Sequence, residues 1–259
     1  MAAAAVAVVA VAVVAVASIT CGRSDATLPS PGPLVAGQSQ PAPTPRPAPT
    51  PTPTPVPVNV EDVLRDAGVV LEGLSSFHFR FRHEDGGTEF ATGIIVEDAE
   101  GDVVNPDRIA VAFTGTFGQG FAIRSRLITT GQTSYMTNPL SGKWEEIPVG
   151  VSPLGFFSPA KGIAAMMSEL RDPILASNSD AKTHIVVGKL PATAMKPLLG
   201  SALPGAIVDV ELTIDADTLY VTKAKSTGRA TASDAPDLVR VVSLSGFNEP
   251  TSIEAPRDE

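Results

Sequence analysis

The chain has 259 residues, one cysteine and a formal net charge of −9. Twelve of its 24 prolines fall between Pro29 and Pro57, and the first 60 residues carry only three charges (Arg23, Asp25, Arg46), so about 200 residues of net negative charge remain to build one domain with a sizeable core. An acidic body without a basic run excludes nucleic acid as partner, and a lone cysteine excludes both a disulfide framework and a thiolate zinc site.

Residues 2–17 form an unbroken apolar run, followed by Ser18-Ile19-Thr20-Cys21. The run has the length of a signal-peptide core and falls short of the roughly 20 residues of a bilayer span. Small residues and then a cysteine resemble a bacterial lipoprotein signal over residues 1–20, with Cys21 diacylated as the mature N-terminus. Ser18 and Thr20 stand where such signals usually have Leu and Gly or Ala, and no basic residue follows Met1. The other reading is an uncleaved anchor helix beside an incidental thiol. Either way the body is expected outside the cell, tethered to the cell membrane on its extracytoplasmic side. Two acyl chains on one cysteine anchor stably where one does not.

Residues 21–58 read as a tether. From Pro41 to Pro57 every second residue is proline, which fixes φ and removes the amide donor, so helix and sheet interior are both closed to it. Polyproline II remains, a semi-rigid stalk of about 3.1 Å per residue.

The body, 59–259, opens with helical spacing. Val60, Val63, Leu64, Ala67, Val70, Leu71 and Leu74 share one stripe, with Glu61 and Asp62 in the first turn where the helix dipole favours them. The period then changes to two. Phe77, Phe79 and Phe81 alternate with His78, Arg80 and Arg82, predicting a strand with one aromatic and one solvated face. Asp85-Gly86-Gly87 turns into an alternating stretch over Phe90, Thr92, Ile94 and Val96. Further strands are predicted near 107–116, 119–130, 132–137 and 143–148. Ser158-Pro159 is the start of a predicted helix running to about Leu170. A strand near 183–189 and a short helix near 192–199 follow, then strands near 208–214, 219–227 and 238–246.

Roughly ten antiparallel strands and three helices, with no strand–helix–strand alternation, make the class α+β. A long sheet with one apolar face must cover it, and helices interrupting the strand series are suited to capping it. Periodicity does not say whether the enclosed space is packed or hollow.

Catalytic chemistry finds little support. His78, His83 and His184 lack metal-ligand spacing, and Asp215 and Asp217 sit in a predicted turn without a calcium-loop pattern. There is no G-x-S-x-G, no phosphate-cradling loop and no cysteine nucleophile in the body. Neither enzyme activity nor a metal or other cofactor is expected.

Along the body, Leu74-Ser-Ser-Phe-His-Phe79, Ala99-Glu-Gly-Asp-Val103, Thr133-Ser-Tyr135 and Pro139-Leu-Ser-Gly-Lys-Trp144 occur in order. Pro159-Ala-Lys-Gly-Ile163, Ile214-Asp-Ala-Asp-Thr218, Leu244-Ser-Gly-Phe247 and Ile253-Glu-Ala-Pro256 continue the series. This series resembles the LppX/LprA/LprF/LprG lipoprotein family over residues 60–256. A tryptophan often found in that family two residues before the Asp-x-x-Thr turn is Thr213 here. The resemblance implies a LolA/LolB-like fold: a strongly curved antiparallel half-barrel capped by helices around a hydrophobic cavity. It also implies an acylated lipid or lipoglycan as ligand, carried between membranes of the envelope, and it leaves room for an inner-membrane transporter as partner. Phe156, Phe157, Ile163, Met166 and Met167 are then candidates for the cavity lining, methionine being adaptable to variable apolar ligands. Ordinary core packing is the other reading of the same five residues. The competing function is a non-transporting structural or partner-binding lipoprotein with a filled core.

Overall fold

A computed structural model describes residues 58–91, 93–118, 120–147 and 162–256. Cys21, Phe156 and Phe157 lie outside the described residues, as do the tether to Pro57 and the expected helix start at Ser158-Pro159.

Helix α1 spans Val60–Glu72. The Asn59 side chain caps it, accepting from the amides of Glu61 at 2.9 Å and Asp62 at 3.3 Å. Val63, Leu64, Ala67 and Leu71 bury the expected stripe, and the helix stops at Gly73. Next comes β1 (Ser76–His83), where Phe77, Phe79 and Phe81 are buried and Arg80 and Arg82 exposed, as the alternation requires. The following strands are β2 (Thr88–Ala91), β3 (Ile94–Val104), β4 (Arg108–Phe117), β5 (Phe121–Thr130), β6 (Thr133–Thr137) and β7 (Trp144–Ile147). Helix α2 (Ile163–Ser168) precedes β8 (Arg171–Leu175) and β9 (Thr183–Pro191). A 3-10 turn (Ala192–Met195) runs into α3 (Lys196–Leu199), and β10 (Ile207–Asp215), β11 (Val221–Thr227) and β12 (Val239–Ser245) complete the chain.

Among the described residues, twelve strands join one antiparallel sheet in the order β7-β6-β5-β4-β3-β1-β12-β11-β10-β9-β8, with β2 paired to β3 alone. Two meanders therefore meet at β1, which pairs with β3 on one side and β12 on the other. Strands β7 and β8 form the two edges of the sheet, and α2 immediately precedes β8 in the chain. Helix α2 packs on α1 and on the 3-10 turn, so the helices form a cover over the buried face.

The sheet bends at specific places. A Cβ at Gly101 would fall on the carbonyl oxygen of Ala110, and one at Gly115 on the carbonyl oxygen of Ile95. Both close approaches lie in the β3–β4 ladder, where glycine lets paired strands coil tightly. Register shifts between Val96 and Asp98, and between Thr213 and Ile214, add local twist.

Three expectations need correction. The stretch expected as one strand from Phe90 to Val96 is split by Gly93, whose φ of 80° is open to glycine at no cost, into β2 and β3. Strand β8 contains Pro173 and was not predicted; it lies on the sheet edge, where a missing donor breaks no ladder. The two together raise the strand count from about ten to twelve. Helix α2 ends at Ser168, short of the expected Leu170; its N-cap, Gly162, makes no side-chain cap hydrogen bond. Leu170, expected in that helix, instead drops onto the sheet over Gly188, where a Cβ would come within 2.8 Å of its Cγ.

Candidate functional site

The strand registers put matching rows of side chains on the covered face. Phe81 of β1 faces Val242 of β12, which faces Ala224 of β11, and Ala224 faces Leu212 of β10. One row further along, Arg240 of β12 lies between His83 and Ser226, and Ser226 faces Val210. These rows are the floor of a cavity of about 50 Å³. Its roof is Ile163, Met166 and Met167 of α2, Leu170, Met195 of the 3-10 turn and Leu198 of α3. Three of the chain's five methionines thus meet in one place.

The volume decides what this cavity can hold as it stands. A water needs about 10–15 Å³ by a comparable measure, whereas small-molecule sites run to roughly 300–1,000 Å³. The space is larger than a water site and far smaller than an acyl-lipid site, so a long chain enters only if the roof lifts. The roof helices α2 and α3 are short, and methionine is an adaptable side chain. A wider hollow of about 440 Å³ touches the outward-facing residues Lys189, Asp209 and Glu211 of β9 and β10. It is open and charged, and Lys189 pairs with Asp209 across it at 2.8 Å.

Residues 59–253 match the LppX_LprAFG lipoprotein family. The chain belongs to this family. The crystal structure of LprF from Mycobacterium bovis is similar at 17% identity and a TM-score of 0.60, with 76% of this chain and 96% of that chain covered. That of lipoprotein LppX from Mycobacterium tuberculosis matches at 18% identity and a TM-score of 0.49, covering 76% of this chain and 100% of that one. A LolA superfamily protein from Nitrosomonas europaea matches at 12% identity and a TM-score of 0.28, covering 74% and 93%. No curated protein matches the sequence.

Within this LppX_LprAFG fold, the structure puts Ile163, Met166 and Met167 on the cavity wall. Trp144 is not near it: the Arg126 guanidinium lies 5.1 Å from its ring centroid, across the β5–β7 hairpins. Asp215 is occupied as a turn residue. One of its oxygens accepts from the Thr218 amide and hydroxyl, each at 2.8 Å, which lowers its pKa.

One feature of the wall escaped the sequence reading. Arg240 is buried, and its Nη2 donates to Asp234 Oδ2 at 2.6 Å. Asp234 also accepts from the amides of Ala230 and Thr231 and from the Thr231 hydroxyl, all at 2.8 Å. Burial pushes this carboxyl up, but Arg240 and Thr231 outweigh it and hold the pKa below the usual 3.8. Arg240 Nε donates to Thr88 Oγ1 at 2.8 Å. His83 Nδ1 meets the Glu97 carbonyl at 2.9 Å, which requires a donor there, so Nε2 accepts from the Thr88 hydroxyl at 2.8 Å. That arrangement fits a neutral imidazole, and burial lowers the His83 pKa below its usual 6.5, with the positive charge of Arg240 acting in the same direction.

Proposed function

We propose that the chain is an envelope lipoprotein that shelters acyl chains under its helical cover and carries them through the cell envelope. The supporting observation is the apolar, methionine-roofed cavity between the sheet and helices α2 and α3. Each methylene moved out of water into such a site contributes about 0.8 kcal/mol, so a chain of ordinary length is held without any catalytic group. In this reading residues 1–20 are the signal, Cys21 carries the acyl anchor, residues 21–58 are the stalk and 59–259 is the lipid-binding body. In the same reading Phe156, Phe157, Ile163, Met166 and Met167 are the proposed lining residues. The ligand is an acylated lipid or lipoglycan, and no catalytic step is involved.

The small cavity volume favours a second reading, a non-transporting lipoprotein with a filled core. Transfer of a fluorescent acyl lipid between donor and acceptor vesicles separates the two. A carrier accelerates transfer in proportion to its concentration, and a structural lipoprotein leaves the spontaneous rate unchanged.

A further inference from the structure

The wall of the cavity is apolar except at one end. There Arg240 and Ser226 lie opposite each other in the β11–β12 ladder. Lys225 also borders the space, but its ammonium is directed to Glu84, at 3.2 Å. Arg240 is the exceptional group. Its side chain is 2% exposed, its Nε and Nη2 are occupied by Thr88 and Asp234, and its Nη1 has no hydrogen-bond partner among the described residues. A buried donor left unmatched is costly, more so on a charged group, and such groups are rare enough to need a reason.

The charge count narrows what can satisfy it. Arg240 and Asp234 already form a neutral pair, and Asp234 takes four hydrogen bonds from three residues. A ligand carboxylate would place a second anion beside one guanidinium in an apolar site, with a buried net negative charge as the result. A neutral carbonyl oxygen accepts the same N–H without adding charge. Carbonyl oxygen is also the acceptor that an esterified acyl chain carries at its head.

We propose that Arg240, through Nη1, anchors the carbonyl oxygen of a neutral acyl ester at the polar end of this cavity, so that the site selects esterified chains over free fatty acids. The inference rests on the acyl-lipid reading above and adds the ligand's linkage and its orientation. Asp234, Thr88 and Thr231 position the guanidinium, while the methionine roof takes the chain.

The test uses the full-length protein at pH 8 and three probes with one chain length. They are 1-palmitoylglycerol, its ether counterpart 1-O-hexadecylglycerol, and palmitate. The ester is expected to bind about tenfold or more tighter than the ether, the range of one hydrogen bond to a charged group, with palmitate weaker than the ester. With a carbon-13 label in the ester carbonyl, its infrared band is expected to move to lower wavenumber on binding. The double variant Arg240→Met/Asp234→Asn removes both charges together and leaves no orphaned ion. It is expected to bind ester and ether alike and to lose the band shift. Equal binding of ester and ether by the native protein, or palmitate binding tighter than the ester, overturns the Arg240 assignment and leaves the acyl-lipid reading standing. Binding of none of the three overturns both. The native-protein comparison needs no variant, so a double variant that fails to fold does not rescue the proposal.

Discussion

Arg240 Nη2 and Asp234 Oδ2 are 2.6 Å apart, and their side chains are 2% and 1% exposed. The pair ties β12 to the loop that precedes it, and through Thr88 it reaches β2. Breaking a buried pair from one side leaves an uncompensated charge, which costs about 3–5 kcal/mol. Asp234→Ala is therefore expected to lower the urea-unfolding free energy by that amount. Neutralising both partners at once is expected to recover most of the loss. A double variant no more stable than Asp234→Ala would show that the backbone contacts of Asp234, rather than its charge, hold this loop.

The same network sets a pH response. The folded-state pKa of His83 is depressed below 6.5, so between 6.5 and that lower value the unfolded chain binds a proton the folded chain does not. Stability from this group is complete above pH 6.5 and is lost as the pH falls through the folded-state pKa. Asp234, held below 3.8, adds a second loss at more acid pH. Urea midpoints measured from pH 8 to 4 are expected to fall with acidification, and His83→Asn is expected to flatten the profile just below pH 6.5.

Two glycines make opposite predictions. An alanine Cβ at Gly115 would land on the Ile95 carbonyl, which is backbone and cannot swing aside, so Gly115→Ala is expected to cost about 1–3 kcal/mol. At Gly68, inside α1, nothing lies within 4 Å of the added methyl. Gly68→Ala is expected to stabilise by about 0.5–1 kcal/mol through helix propensity alone. Thermal and urea denaturation of the two variants side by side check both signs.

The legible parts of this fold are those governed by local period. The Phe77-Phe79-Phe81 face, the α1 stripe and the meander of the C-terminal strands follow from spacing, because burial on one face demands it. What stayed hidden depends on partners far along the chain. Leu170 leaves the helix for the sheet because Gly188, on another strand, has no side chain in its way. Pro173 sits in a strand because that strand has become an edge. The site shows the same division. Methionine composition pointed to Met166 and Met167, whereas Met195 and Leu198 arrive from a different connection. In β12 the run Val239-Arg240-Val241-Val242 is apolar on both parities, which hid that Arg240 shares its face with Val242 and Leu244. A buried arginine among valines is readable only once Asp234 is seen to meet it.

The central claim is that the covered face of the sheet opens to hold an acyl chain. Ala224 lies in the floor between Leu212 and Val242, so Ala224→Phe fills the cavity from below without touching a charge. The direct measurement is native mass spectrometry of the compact unit 55–259, which lacks Cys21, so that any lipid found is a ligand. A carrier is expected to retain acyl lipid from the expressing cells, or to take it up when supplied, and Ala224→Phe is expected to lose it while its circular dichroism stays native. A native protein that carries no lipid and takes up none would contradict the claim and leave a filled-core lipoprotein in its place.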